Sequence, residues 1–187
     1  MQYILNEETY TDHKKFAELT LACKNSLGND VNNWLQFKEQ TIDLTETEEH
    51  KDIDWFVLFL YDENNDDPIP DFVKDQFAPV IEILKDMKGV YRALFNFVGP
   101  NSNIPDHVDS DELPPYAETG IYNIVLGIFA DESADIGLEV VDEFAKTYEG
   151  RATIFDGQVP HRGWNKSNQW RCTLFMFVDK GAFNEVC

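Results

Sequence analysis

FDGQVPHRGWNKSNQWRCTLFMFV, residues 155–178, carries a strand end, a turn, a histidine, a polar loop and then a long apolar strand. RATIFD (151–156) supplies β-formers, and the turn after it delivers His161. The segment GWNKSNQ is rich in turn residues and can return the chain beside His161 as a hairpin. In the strand that follows, alternation puts Arg171, Thr173 and Phe175 on one face. An arginine opening so apolar a strand asks for an anion. A guanidinium grips a carboxylate through two parallel charge-assisted hydrogen bonds, and the Thr173 hydroxyl can add a third donor. The plainer alternative makes Arg171 a surface cation in an acidic protein.

Outward from this stretch, Val90 to Val98, Ile121 to Phe129, Leu138 to Val141, Arg151 to Phe155 and Trp170 to Val178 read as strands. The turn signals GPNSN, ADESADIG, YEG and WNKSNQ separate them. Many short strands with turns between them predict a sandwich or barrel-like sheet pair. Before Gly89 the pattern is mixed. His13 to Leu27 puts Phe16, Leu19, Thr20 and Cys23 on one helical stripe, with Gly28 as its stop. WFVLFLY, between Asp54 and Asp62, suits a buried strand, and YDENNDDPIP suits a loop. Phe72 to Met87 is apolar at helical spacing, with Pro79 imposing a kink or a late start. The plan is a single domain over 1–187: a mixed helical support over 1–88 and a β-core over 89–179.

The composition narrows the partners. With 187 residues and 43% hydrophobic content the chain can bury one sizeable core. A net charge of −20 repels phosphate backbones and anionic bilayers, so neither nucleic acid nor a membrane is expected as a partner. The acidity serves solubility or attracts a cationic substrate. Three cysteines without close spacing suggest neither a disulfide framework nor a zinc motif. The first residues, MQYILNEETYTDHKK, lack the basic and apolar runs of a secretory signal, so the expected location is the cytoplasm.

Of the four histidines (His13, His50, His107, His161), two keep unusual company. In GPNSNIPDHVDS, His107 and Asp109 project to the same side of an extended segment and can grip one ion. With His161 they make two imidazoles and a carboxylate, the facial triad of non-haem Fe(II) oxygenases. Three ligands on one octahedral face leave three positions for a bidentate 2-oxo acid and dioxygen. An H-x-D pair alone is a weak signal; its combination with His161 and Arg171, ten residues apart, is specific.

These segments resemble the aspartyl/asparaginyl β-hydroxylase branch of the 2-oxoglutarate oxygenases, over about Gly89 to Asp179. The resemblance implies a mostly β fold with supporting helices, a double-stranded β-helix of the jelly-roll, cupin-like kind, with Fe(II) and 2-oxoglutarate as cofactors. His107 and His161 match the family's histidine ligands, and Arg171 matches the residue that binds the distal carboxylate of 2-oxoglutarate. Asp109 stands where the animal β-hydroxylases carry glycine, which completes the triad of the wider superfamily. In YNIVLGIF, Asn123 and Val125 stand where the family has an arginine and a histidine near the cosubstrate; Asn123 can donate to it or serve as a core polar group. Trp164 is expected under the metal site, Asn165 in the turn, and Asp156 as a turn residue or a prop for its neighbours. The activity expected is hydroxylation of an amino acid, a peptide or a protein side chain, with dioxygen consumed and succinate and CO2 released. Two alternatives stay open: a non-redox β-helix such as a zinc hydrolase or isomerase, and a catalytically silent binding module.

Overall fold

The computed structural model describes residues 2–38, 42–43, 53–63, 69–109 and 120–184. Among these residues eleven strands and four α-helices follow one another as β1 (Ile4–Leu5), α1 (Phe16–Leu27), α2 (Val31–Leu35), β2 (Ile42–Asp43), β3 (Trp55–Asp62), α3 (Asp71–Gln76), α4 (Ala78–Lys85), β4 (Val90–Val98), β5 (Ser102–His107), β6 (Ile121–Phe129), β7 (Ile136–Val140), β8 (Glu143–Lys146), β9 (Ala152–Phe155), β10 (His161–Asn165) and β11 (Arg171–Asp179). A seven-stranded sheet has the order β1-β9-β6-β11-β4-β3-β2, and a four-stranded sheet has the order β5-β10-β7-β8. Every strand pair within them is antiparallel. This is the expected double-stranded β-helix with helices added. His50 and residues 64–68 of the expected YDENNDDPIP loop lie outside the described residues, and no helix among those described is long and apolar enough to cross a membrane.

Strand alternation divides the large sheet into two working faces. Phe56, Leu58, Phe95, Phe97, Leu126, Leu174 and Met176 point to one side and merge with the apolar stripes of α1 and α4 into the main core. Burying each such side chain stabilises the fold by about 1.5–3 kcal/mol. Val57, Leu94, Val125, Phe175 and Phe177 point the other way, towards the small sheet. The helices therefore cover the back of the large sheet and leave its front free to form a cavity.

The sequence pattern misplaced some boundaries. The helix expected over Phe72 to Met87 is broken at Phe77 into α3 and α4, and Pro79 falls at the start of α4, where its missing N–H costs nothing. GPNSN is not all turn, because Ser102 to Asn103 already belong to β5. That strand tolerates Pro105 because it lies at the edge of the small sheet. GWN, expected in a loop, completes β10.

Candidate metal centre

β5 ends and β10 begins at direct cross-strand partners, His107 and His161. Asp109 follows β5, and its amide donates to the Gly157 carbonyl at 2.9 Å, which holds the segment beside the β9–β10 turn. Ligand atoms of His107, Asp109 and His161 lie within 4.8 Å of one another. His107 Nε2 is 3.5 Å from Asp109 Oδ1 and His161 Nε2 is 3.4 Å from Asp109 Oδ2.

Both rings are oriented in the same way. His107 Nδ1 lies 2.8 Å from the Pro105 carbonyl and His161 Nδ1 lies 2.9 Å from the Val159 carbonyl. A carbonyl accepts only, so each Nδ1 donates and each Nε2 keeps its lone pair for a metal. Burial lowers the His161 pKa, against the opposing pull of Asp109, and so favours the neutral, ligating imidazole. Phe155 tilts against His161 with ring centroids 4.8 Å apart, and Trp55 stands 6.2 Å from His107.

Asn123 is fully buried, and its Nδ2 donates to Asp109 Oδ2 at 2.5 Å. The sequence left this amide either to the cosubstrate or to a core polar role; the structure sets it on the carboxylate of the candidate ligand. Its Oδ1 is buried without a partner. A Cβ on Gly157 would fall 2.2 Å from Asn123 Nδ2, so only glycine leaves this amide its place. Sequence reasoning saw Gly157 as a turn residue and missed that contact, which joins residues distant in the chain.

Arg171 opens β11 at 3% exposure, and burial pulls its guanidinium down to about 10, still charged at neutral pH. Its Nη1 donates to the Trp164 carbonyl at 3.2 Å and the Gly137 carbonyl at 3.4 Å, while Nε has no partner. Among the described residues no carboxylate pairs with it. Thr173, two residues on, is fully buried with an unpartnered Oγ1. Arg171, the imidazoles and Asp109 line one cavity of about 370 Å³ between the sheets. A buried cation with no carboxylate partner among the described residues and a free Nε fits an anionic group entering that cavity, and the unpartnered Thr173 hydroxyl lies on the same face of β11.

Two other expectations resolve differently. Trp164 does not lie under the centre. His161, Gly163 and Asn165 face inward on β10, so Trp164 faces outward, with its indole N–H on Asp135 Oδ1 at 2.8 Å and its ring 5.6 Å under Lys166. Asn165 does shape the turn: its amide donates to the Val98, Gly99 and Gln169 carbonyls, and its Oδ1 accepts from Ser167. Asp156 accepts from the Gln158 amide and pairs with Lys180 at 2.7 Å. Val125 lines the cavity.

The family model of the aspartyl/asparaginyl β-hydroxylases matches residues 24–180. An ornithine lipid ester-linked acyl 2-hydroxylase of Rhizobium tropici is 29% identical over 89 residues, 47% of this chain and 29% of that protein. This match spans less than a third of that relative's length. The crystal structure of a Pseudomonas putida prolyl-4-hydroxylase shares the fold, with a TM-score of 0.51 and 12% identity over 96% of this chain and 94% of that one. At the level of class, then, the molecule is a double-stranded β-helix protein with a candidate metal centre between its two sheets. It belongs to the aspartyl/asparaginyl β-hydroxylase family, and the match reaches well upstream of Gly89, into helices that the sequence reading had left without a relative.

Proposed function

We propose that the chain is an Fe(II)- and 2-oxoglutarate-dependent dioxygenase that hydroxylates a C–H bond of a small molecule or peptide. His107 and His161, through Nε2, and Asp109 would hold the iron. Arg171 and Thr173 would take the far carboxylate of 2-oxoglutarate. When bound, the pair supplies the oxidising power: dioxygen and 2-oxoglutarate are consumed, succinate and CO2 are released, and one oxygen atom ends in the substrate. The protein's residues do the rest. Pro105 and Val159 fix the imidazole tautomers, Asn123 holds the carboxylate, and the aromatic walls exclude water.

The observation that carries this reading is Arg171, a buried cation with no anionic partner among the described residues, in the same cavity as the three candidate ligands. Two imidazoles and a carboxylate also satisfy zinc. A zinc hydrolase has no need of a buried guanidinium one strand away, and that favours the oxygenase. Anaerobic addition of Fe(II) and 2-oxoglutarate should give the visible charge-transfer band of the chelate. A colourless mixture that still binds zinc tightly would return the chain to the hydrolase class.

A further inference from the structure

The cavity has two chemically distinct halves. Arg171 and Thr173 begin β11 and pair with Val98 and Asn96 of β4; Phe175 and Phe177 follow, opposite Leu94 and Arg92. At about 3.4 Å per residue, Phe177 lies roughly 20 Å along the strand from Arg171. Asn123, which carries Asp109, is the partner of Phe177 on the other side. The charged groups thus lie on the β6–β11 side of the cavity, from Asp109 to Arg171. The β4–β3 side is walled by Val57, Phe59 and Leu94, with Phe175 and Phe177 of β11 at the boundary. Its polar groups satisfy each other: Trp55 Nε1 donates to Asn96 Oδ1 at 2.7 Å. Arg92, whose guanidinium lies 5.7 Å from the Phe59 ring, is held by Asp62 at 2.9 Å. At the rim, Val108 is 44% exposed between the two candidate ligands of its own segment.

A free amino acid brings an ammonium and a carboxylate. With Arg171 occupied by the cosubstrate, the lining of this half offers neither of them a counter-charge among the described residues. Unpaired charges are not buried in apolar surroundings, whereas methylene groups are. We propose that the apolar half holds a saturated hydrocarbon chain, and that the C–H bond presented to the centre belongs to that chain and not to a free amino acid. This rests on the oxygenase reading and departs from the amino acid, peptide or protein side chain expected from the sequence.

The test titrates the anaerobic Fe(II)–2-oxoglutarate complex with straight-chain fatty acids from hexanoate to palmitate, and in parallel with free amino acids, reading the shift of the charge-transfer band. A second titration follows tryptophan fluorescence in the metal-free protein, where Trp55 lines the cavity. Affinity should rise about threefold to fourfold per added methylene until the cavity is full. Leu94→Trp, which fills the apolar half, should shorten the longest chain accepted while the charge-transfer band still forms. Phe59→Glu, at a partly exposed wall, should weaken every chain by about tenfold or more. Affinity independent of chain length, or any free amino acid binding more tightly than palmitate, overturns the proposal. A missing charge-transfer band sinks the oxygenase reading instead, and the fluorescence series still decides whether a chain is bound.

Discussion

Arg171→Met should have opposite effects on stability and on binding. Keeping a guanidinium protonated when burial has pulled it from 12.5 to about 10 costs the folded chain about 3 kcal/mol. Methionine fills similar space without the charge. The two carbonyl contacts it forfeits, to Trp164 and Gly137, are long and worth about 0.5–1.5 kcal/mol each. The net gain is about 1 kcal/mol, or roughly 2–4 °C in Tm for a domain of this size. Cosubstrate binding moves the other way. A hydrogen bond to a charged group is worth about 1.5–3 kcal/mol, so losing even one weakens 2-oxoglutarate by roughly tenfold to a hundredfold. Thermal melts with a redox-silent divalent metal, with and without 2-oxoglutarate, read both effects. The unsubstituted protein should gain roughly 5–10 °C at about a hundred times its Kd, and the variant only about 1–6 °C at the same concentration. A variant that melts well below the parent without ligand, yet responds to 2-oxoglutarate as the parent does, would show that Arg171 is a structural cation.

Asp109→Ala should release Fe(II) in a chelator competition; metal retention unchanged from the parent would mean that the two imidazoles suffice. Asn123→Leu should weaken metal binding by about tenfold to a hundredfold, with 2-oxoglutarate affinity at saturating metal nearly unchanged. Gly157→Ala should act in the same direction, because its new Cβ meets Asn123 Nδ2 at 2.2 Å; equal loss of both affinities in either variant would place Asn123 on the cosubstrate instead. Glu143 accepts the Tyr3 and Ile4 amides, which holds its carboxyl below the ordinary 4.5. A depressed carboxyl stabilises above its unfolded value and loses that contribution as pH falls through the folded one. The protection of the Tyr3 and Ile4 amides, taken against their intrinsic exchange rates, should therefore fall on acidification below about 4.5, and Glu143→Gln should show no such fall.

The long strands and the candidate ligands were legible because their signals are local. WFVLFLY, YRALFNFV and RCTLFMFV are dense in β-formers, and His107 with Asp109 shows its spacing in the sequence itself. What escaped notice depends on neighbours. β5 contains a proline that only an edge position excuses, and β8 is half exposed with an ordinary composition. Trp164 was misplaced because its side follows from strand parity, which could not be set until β10 was known to begin at His161. Asn123 looked like a cosubstrate donor in its own strand; its contact with Asp109 exists only once β6 lies under the segment after β5. The apolar character of half the cavity was invisible for a related reason: Val57, Leu94 and Phe177 sit in three separate segments, each an ordinary core strand when read alone.

The cross-strand register of His107 and His161 also bears on how the protein matures. The two imidazoles become neighbours only when the ladder between β5 and β10 has closed, and a slip of one residue would turn one of them outward. A nascent or partly unfolded chain therefore has no tight divalent site. On the proposed reading a metal ion would not template this fold, as zinc does in small metal-dependent domains; its uptake would mark the end of assembly, so that the centre is armed only inside a finished shell.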